Sequence, residues 1–437
     1  MQGASGLVPR RRTCTREASA LALHGTVLLG AVLLGATSSA CTNDDGVAPS
    51  ATRGAGTGGS NAGTGGDGTT GGGDGGGGAG GEARCEGHFE RSYPRIVDPR
   101  ELVSPSTGDN TVAVTADPCA VWDPQIEKFR VFFTFADFTA EEQNLPPAGI
   151  FGGTWAPGEA FEPYETLALD QIGTFDTYSV ETCDVVRIDD ETSATGQRFF
   201  MYYGGASQEE PDYTIALATS EDGRRFEPIP PNLSPRGALG ELFKIDSVLP
   251  GAPDVPGNYP TDPTVVIRDD TWHMWTFCVQ QFPDGGGGVC HSTSLDGINW
   301  QHFGPGSGLT RGAPIQPTVH FNPSLDAFEM YVVMDTPEEE AEIHDVTANL
   351  TLRVVGWFRA VSEDGMTWTP DPERGFCEDL SRPWEDAGVA TGADAAIAND
   401  TLYFFYPSFT TMGRGTFLPG LMNWPLNVAE RPLDSVR

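Results

Sequence analysis

Three segments of the chain repeat one short pattern: Ser220-Glu-Asp-Gly-Arg-Arg-Phe226, Ser294-Leu-Asp-Gly-Ile-Asn-Trp300 and Ser362-Glu-Asp-Gly-Met-Thr-Trp368. Their aspartates lie 74 and 68 residues apart. In each, Asp-Gly supplies a tight turn and the aromatic anchors the strand that follows. Pro157–Pro163 echoes the pattern without its Ser and Asp. A second signal interleaves with the first. Short apolar strands begin at Asp117 (DPCAVWD), Asp262 (DPTVVIRDD), Gln316 (QPTVHFN) and Asp394 (DAAIAND), and in a looser register around Thr182 (TCDVVRIDD). Each leads through a turn into an aromatic-rich strand such as FRVFFTF or TLYFFYP. Five such units, with about four strands each, are propeller blades. The runs are β-branched and aromatic with almost no helical periodicity, so the expected fold is all-β, a five-bladed β-propeller over residues 85–437. The acidic stretch Pro337–His344 is expected to form a short helix or a surface loop.

The residues before the repeat read as an address and a tether. Arg10, Arg11, Arg12 and Arg16 precede an apolar run from Leu21 to Leu34, then Ala36-Thr-Ser-Ser-Ala40 and Cys41. A positive flank, a short apolar stretch and a small-residue cleavage region define a secretory signal peptide over residues 1–40. Cys41 after Ser-Ser-Ala resembles the lipobox of bacterial lipoproteins, with Ser38 where leucine usually stands, and Thr42 favours the outer membrane or cell surface. The alternative is a plain exported protein, soluble or periplasmic, cut after Ala40. Residues 41–84 read as a flexible linker, whose Gly-rich run Gly54–Gly81 lacks the apolar content to pack and spans on the order of 30 Å.

Composition narrows the partners. With 61 acidic against 26 basic residues the formal net charge is −35, which repels phosphate backbones and excludes nucleic acid as a partner. Membrane contact is then expected through the lipid anchor alone. Beyond Cys14 and Cys41, six cysteines remain in an exported chain, which reads as three disulfides. Cys278 and Cys290 flank a Gly-rich turn and are paired first; Cys119 with Cys183 and Cys85 with Cys377 follow by elimination. No Cys-x-x-Cys pair suggests zinc, no Gly-x-Ser-x-Gly elbow suggests a serine nucleophile, and no loop has EF-hand spacing. The expected cofactor set is empty, apart from a structural calcium that the acidic funnel could hold.

The Asp-Pro strand starts and Ser-x-Asp-Gly hairpins resemble the five-bladed propeller glycosidases of glycoside hydrolase families 43 and 32, and the related family 130 phosphorylases, over most of residues 90–430. The resemblance implies a substrate at the mouth of the central funnel and a carbohydrate partner. It places a base or nucleophile at Asp117 on the first blade and a sugar-holding, pKa-tuning aspartate at Asp262 on the third. The fourth-blade position, an acid in those families, falls on Gln316, and a carboxamide cannot protonate a leaving group. Cleavage of a glycosidic bond needs two carboxyl groups, one of them kept protonated. Glu181 is the foremost substitute, with Asp184 and Asp394 near the presumed mouth. Trp155, Tyr178, Tyr259 and Trp384 are candidate stacking platforms for sugar rings, while His273 reads as structural. Two functions stay open: a glycoside-active enzyme, or a non-catalytic carbohydrate-binding or protein-interaction propeller with a degenerate site.

Overall fold

The computed structural model describes residues 89–435 except 104–111, 139–147, 189–192, 208–211, 281–286, 310–313, 335–342, 346–349, 355, 387, 391 and 411–423. Residues 1–88, which carry the expected leader, Cys41 and the Gly-rich linker, lie outside the described residues.

Five antiparallel sheets follow one another along the chain. Blade I comprises Val112–Asp123, Lys128–Phe138, Gly149–Trp155 and Glu162–Pro163; blade II comprises Ser179–Arg187, Phe199–Ala206, Tyr213–Ser220 and Glu227–Pro228. Blade III comprises Asn258–Arg268, Thr271–Gln280, Gly287–Ser294 and Trp300–Pro305, and blade IV Pro314–Asn322, Ala327–Met334, Gly356–Ser362 and Thr369–Cys377. Blade V is built from both ends of the repeat region. Asp394–Ala398, Thr401–Phe409 and Leu426–Pro432 pair in order, and Glu90–Val97 adds the outer strand, with Tyr93 opposite Val428 and Val97 opposite Leu426. The architecture is the expected five-bladed propeller. At the end of the acidic stretch, Ile343–Asp345 is extended and pairs with Leu350–Val354; residues 337–342 lie outside the described residues.

Aromatic side chains fill the spaces between neighbouring blades. Phe129, Trp155, Tyr403 and Phe405 pack between blades I and V, and Tyr331, Trp357, Phe376 and Phe404 between IV and V. The recurrent hairpin has a mechanical role in this packing. In all three copies the Ser hydroxyl accepts the Gly N–H, at 3.0, 3.0 and 2.9 Å, and the Asp carboxylate caps the next amides. The Gly carbonyl then accepts from the preceding blade: Gly223 from Arg130, Gly297 from Tyr202 and Gly365 from Trp275. Each hairpin is therefore a latch onto the blade before it, which is why serine, aspartate and glycine recur together.

Gly297 must be glycine on two counts. Its φ is +72°, and a Cβ there would stand 2.7 Å from the Tyr202 hydroxyl. Gly237 has a similar φ of +69° but open space around it. Gly297→Ala is expected to cost about 2–3 kcal/mol, and Gly237→Ala only about 1 kcal/mol of backbone strain, as read from urea midpoints. Equal losses in the two variants would show that the latch contributes nothing.

Two disulfides complete the framework. Cys119–Cys183 joins the inner strands of blades I and II with a Cα–Cα distance of 5.7 Å, and Cys278–Cys290 joins the second and third strands of blade III at 6.0 Å. Cys377 is also disulfide-bonded, and its expected partner Cys85 lies outside the described residues.

Candidate functional site at the propeller hub

Each of the first four inner strands breaks its ladder once, at Ala116/Cys119, Glu181/Asp184, Thr261/Thr264 and Ile315/Thr318. The residue at each break has left-handed backbone: Asp117 (φ 45°), Thr182 (φ 53°), Asp262 (φ 49°) and Gln316 (φ 48°), with Gly392 (φ 76°) in blade V. Bulges of this kind re-aim side chains. Left-handed backbone at a non-glycine residue costs on the order of 1–3 kcal/mol, most of all for a β-branched threonine, and four such residues meeting at one place make it the candidate site. Together with Pro118, Cys183, Pro263, Pro317 and Ala393 they line one central cavity of about 30 Å³, room for one or two waters.

Gln316 Nε2 donates to Asp117 Oδ1 and to Asp262 Oδ1, both at 3.4 Å, so the two carboxyl groups stand within about 7 Å of each other. Gly392 makes this possible, because a Cβ there would fall 2.1 Å from Asp117 Oδ1. Glu181 adds a third carboxyl beside the ring. Its Oε1 accepts from Ser179 Oγ at 3.1 Å and from the Tyr213 hydroxyl. Tyr259 is buried next to Tyr213, ring centroids 5.0 Å apart, and feels the charges of both Asp262 and Glu181.

Four oxygens of this cluster, Asp117 Oδ2, Glu181 Oε2, Asp262 Oδ2 and Gln316 Oε1, are buried without a hydrogen-bond partner among the described residues. Among the described residues no cation offsets the carboxyl groups. Burial pushes Asp117 up to about 7, against a lowering hydrogen bond from Thr134. Burial, with the charge of Asp117 adding to it, pushes Glu181 up to about 8. Asp262 is raised well above the carboxylate range by burial and then by the Asp117 charge. At neutral pH the cluster thus holds protons that ordinary carboxylates would have lost, as acid–base chemistry requires. Among the described residues no group of three or more His, Cys, Asp or Glu is arranged to hold a metal ion.

Asp184 and Asp394 do not join this layer. They sit two residues beyond the bulges, where a ring of clasps ties the five inner strands together. Asp184 accepts from the Val265 N–H, Thr264 Oγ1 from the Val319 N–H at 3.1 Å, and Asp394 from Thr318 Oγ1 at 3.1 Å and the Ala120 N–H at 2.7 Å. The Cys119–Cys183 disulfide supplies the remaining link, from blade I to blade II. Asp184 and Asp394, expected near the mouth, have oxygens engaged with neighbouring blades, and both also line the wider pocket beyond the clasps. Past the clasps the channel widens to about 440 Å³ between residues such as Val121, Val266, Phe321 and Ile397.

The aromatic platforms divide. Trp155 is wholly buried against Phe129, Tyr93 and Tyr403, so it is core between blades I and V and not a sugar platform. Tyr259 lies at the hub, and Tyr178 is half-buried three residues before Glu181. Trp384 is half-buried under the Arg382 guanidinium, 5.7 Å from its ring centroid. His273 contacts His291 at 3.1 Å and stacks on Trp275, a packing role. Tyr213 and Gly392 are the hub residues that sequence reasoning missed. Tyr213 opens the third strand of blade II with no motif to mark it, and Gly392 lies two residues before the apolar run that suggested Asp394.

No protein-family model and no curated protein sequence matches the chain. Solved structures do. A β-1,2-mannobiose phosphorylase from Listeria innocua, in complex with β-1,2-mannobiose, is similar at a TM-score of 0.52 and 11% identity, over 78% of this chain and 96% of that one. An N-acetylgalactosamine deacetylase from F. plautii, in complex with blood group B trisaccharide, is similar at 0.50 and 13% identity, over 79% and 96%. So is a structure from the family 130 mannoside phosphorylases, which contain glycoside hydrolases that target β-1,2 mannosidic linkages in Candida mannan, at 0.50 and 15% identity, over 79% and 93%. The chain has a glycosidase-like five-bladed propeller fold. At these identities the likeness is one of fold, and chemistry has to be argued from the hub.

Proposed function

We propose that a neutral oligo- or polysaccharide docks over the hub, whose cavity of about 30 Å³ admits its hydroxyls and not a whole ring, and has its glycosidic bonds cleaved there, with Asp117 as base, Glu181 as acid, and Asp262 and Gln316 holding sugar hydroxyls. The observation that carries this reading is the convergence of four buried, unpartnered oxygens from four blades at one hub. Polar atoms buried in this way cost free energy until a ligand meets them, and a polyhydroxylated sugar offers hydroxyls that both donate and accept. A net charge of −35 favours a neutral ligand over an anionic one. Gln316 has no proton to give, whereas Glu181 holds one at neutral pH through its burial. The described disulfides support an exported protein, and the lipid tether at Cys41 belongs to the same proposal.

A second reading, saccharide recognition without turnover, is favoured by the Gln316 amide, which bridges the two aspartates where the related glycosidases have an acid. One experiment separates the two. Wild type and Asp117→Asn are assayed on aryl glycosides, β-mannan, arabinan, xylan and fructan, with binding followed by calorimetry. Turnover by wild type, reduced about 10²–10⁴-fold in the variant, supports the enzyme. Binding without turnover assigns recognition alone. Neither binding nor turnover across the panel overturns both.

A further inference from the structure

We propose that Tyr213 is a positioning residue that, together with Ser179, fixes the proton of Glu181 on Oε2, the oxygen left without a partner. This rests on the reading of the hub as a glycoside-cleaving site and says how its acid is set. A neutral carboxyl group has one oxygen that only accepts and one that carries the proton. Oε1 of Glu181 already receives two donors, Ser179 Oγ at 3.1 Å and the Tyr213 hydroxyl, so it takes the accepting role. The proton is left to Oε2, which is buried and meets no acceptor among the described residues. A buried hydroxyl donor without an acceptor costs about 1–3 kcal/mol, so the site is completed by a ligand oxygen that accepts its hydrogen. An acetal oxygen between two sugar units has that chemistry.

The Tyr213 ring is held in place for this role. It is buried, packs on Tyr259 at 5.0 Å, and lies beside Gly204, where a Cβ would stand 3.3 Å from its Cδ1. The other titratable groups around Glu181 are Asp117, Asp262 and Tyr259, and among the described residues none of these is cationic. In the reaction, the Oε2 proton passes to the glycosidic oxygen as its bond to the anomeric carbon breaks with the electron pair going to oxygen. Water forms the new bond to that carbon and gives its proton to Asp117. Solvent then returns a proton from Asp117 to Glu181, so one water is consumed per bond cleaved.

The test is Tyr213→Phe in the full chain, with Ser179→Ala as a second variant that removes the other donor. Carboxyl ¹³C NMR, with the Glu181 signal assigned by its loss in Glu181→Gln, follows the titration; infrared difference spectra follow the carboxyl C=O stretch. Both donors favour the charged form, so losing either raises the Glu181 midpoint, by about 0.5–1 unit, and moves the C=O stretch to higher frequency. On any glycan that wild type cleaves, kcat falls about 10–100-fold with KM unchanged and the alkaline limb of the pH profile moves upward. An unmoved midpoint and stretch in both variants overturns the proposal, whatever the activity. Failure of wild type to cleave any glycan sinks the functional reading instead, and the two spectroscopic measurements still decide where the proton sits.

Discussion

Glu329→Gln is expected to lower the thermal midpoint by about 5 °C at pH 7. Glu329 is wholly buried on the second strand of blade IV. Its Oε1 accepts from Arg359 and Arg431, and its Oε2 from His320 at 3.0 Å and Asn322 at 2.8 Å. Arg431 belongs to blade V, is itself fully buried, and donates also to Tyr331 at 2.9 Å. One carboxylate therefore joins three strands of blade IV to the closing blade. An amide at this position would leave two buried guanidinium groups facing a group that cannot compensate them, a loss of about 3–5 kcal/mol. For a domain of this size that corresponds to about 5 °C. Burial alone would raise this carboxyl; the hydrogen bond and charge of His320, then Arg431 and Arg359, hold it far below the usual range. With the folded pKa depressed, the contribution is present above pH 4.5 and disappears as pH falls below it. The difference between wild type and variant, followed by calorimetry, should therefore narrow toward pH 3. An unchanged midpoint at pH 7 would show that the network is dispensable.

Asp117→Asn should act in the opposite sense. Burial holds the Asp117 carboxyl near 7 in the folded protein, against 3.8 for an unperturbed group. A raised folded pKa means that the native state binds the extra proton, so stability is complete below about pH 4 and declines as pH rises to about 7. At about 1.36 kcal/mol per unit the decline is on the order of 4 kcal/mol, with Glu181 adding to the same slope up to about pH 8. Asparagine keeps the shape and removes the charge. The variant is expected to match wild type near pH 4 and to exceed it by about 2–4 kcal/mol at pH 9, as measured by urea unfolding across pH. A pH-independent difference would refute the account. The same substitution removes the proposed base, so one residue separates what the fold prefers from what the site needs.

Much of this architecture was legible because its causes are local. Ser-x-Asp-Gly announces a latch since the hydroxyl, the carboxylate and the absent Cβ each have a short-range task. The Asp-Pro starts marked the bulged inner strands for the same reason, and so located Asp117, Asp262 and Gln316. The fifth-blade strand does begin at Asp394, but its hub position is Gly392, which carries no side chain to recognise. Trp155 was drawn toward the mouth because an aromatic looks alike on a sugar platform and between two sheets; only the neighbours Phe129 and Tyr403 tell them apart. The outer strand Glu90–Val97 gave no repeat signal at all, since its partner lies more than 300 residues away.

That pairing sets the order in which the protein can mature. The first described strand has its place only beside one of the last, so no stretch of chain shorter than nearly the whole domain can form a complete ring. During synthesis the earlier blades exist with open flanks, and joining these distant segments carries a loop-closure entropy cost. Closure of the ring thus depends on the docking of eight residues, Glu90–Val97.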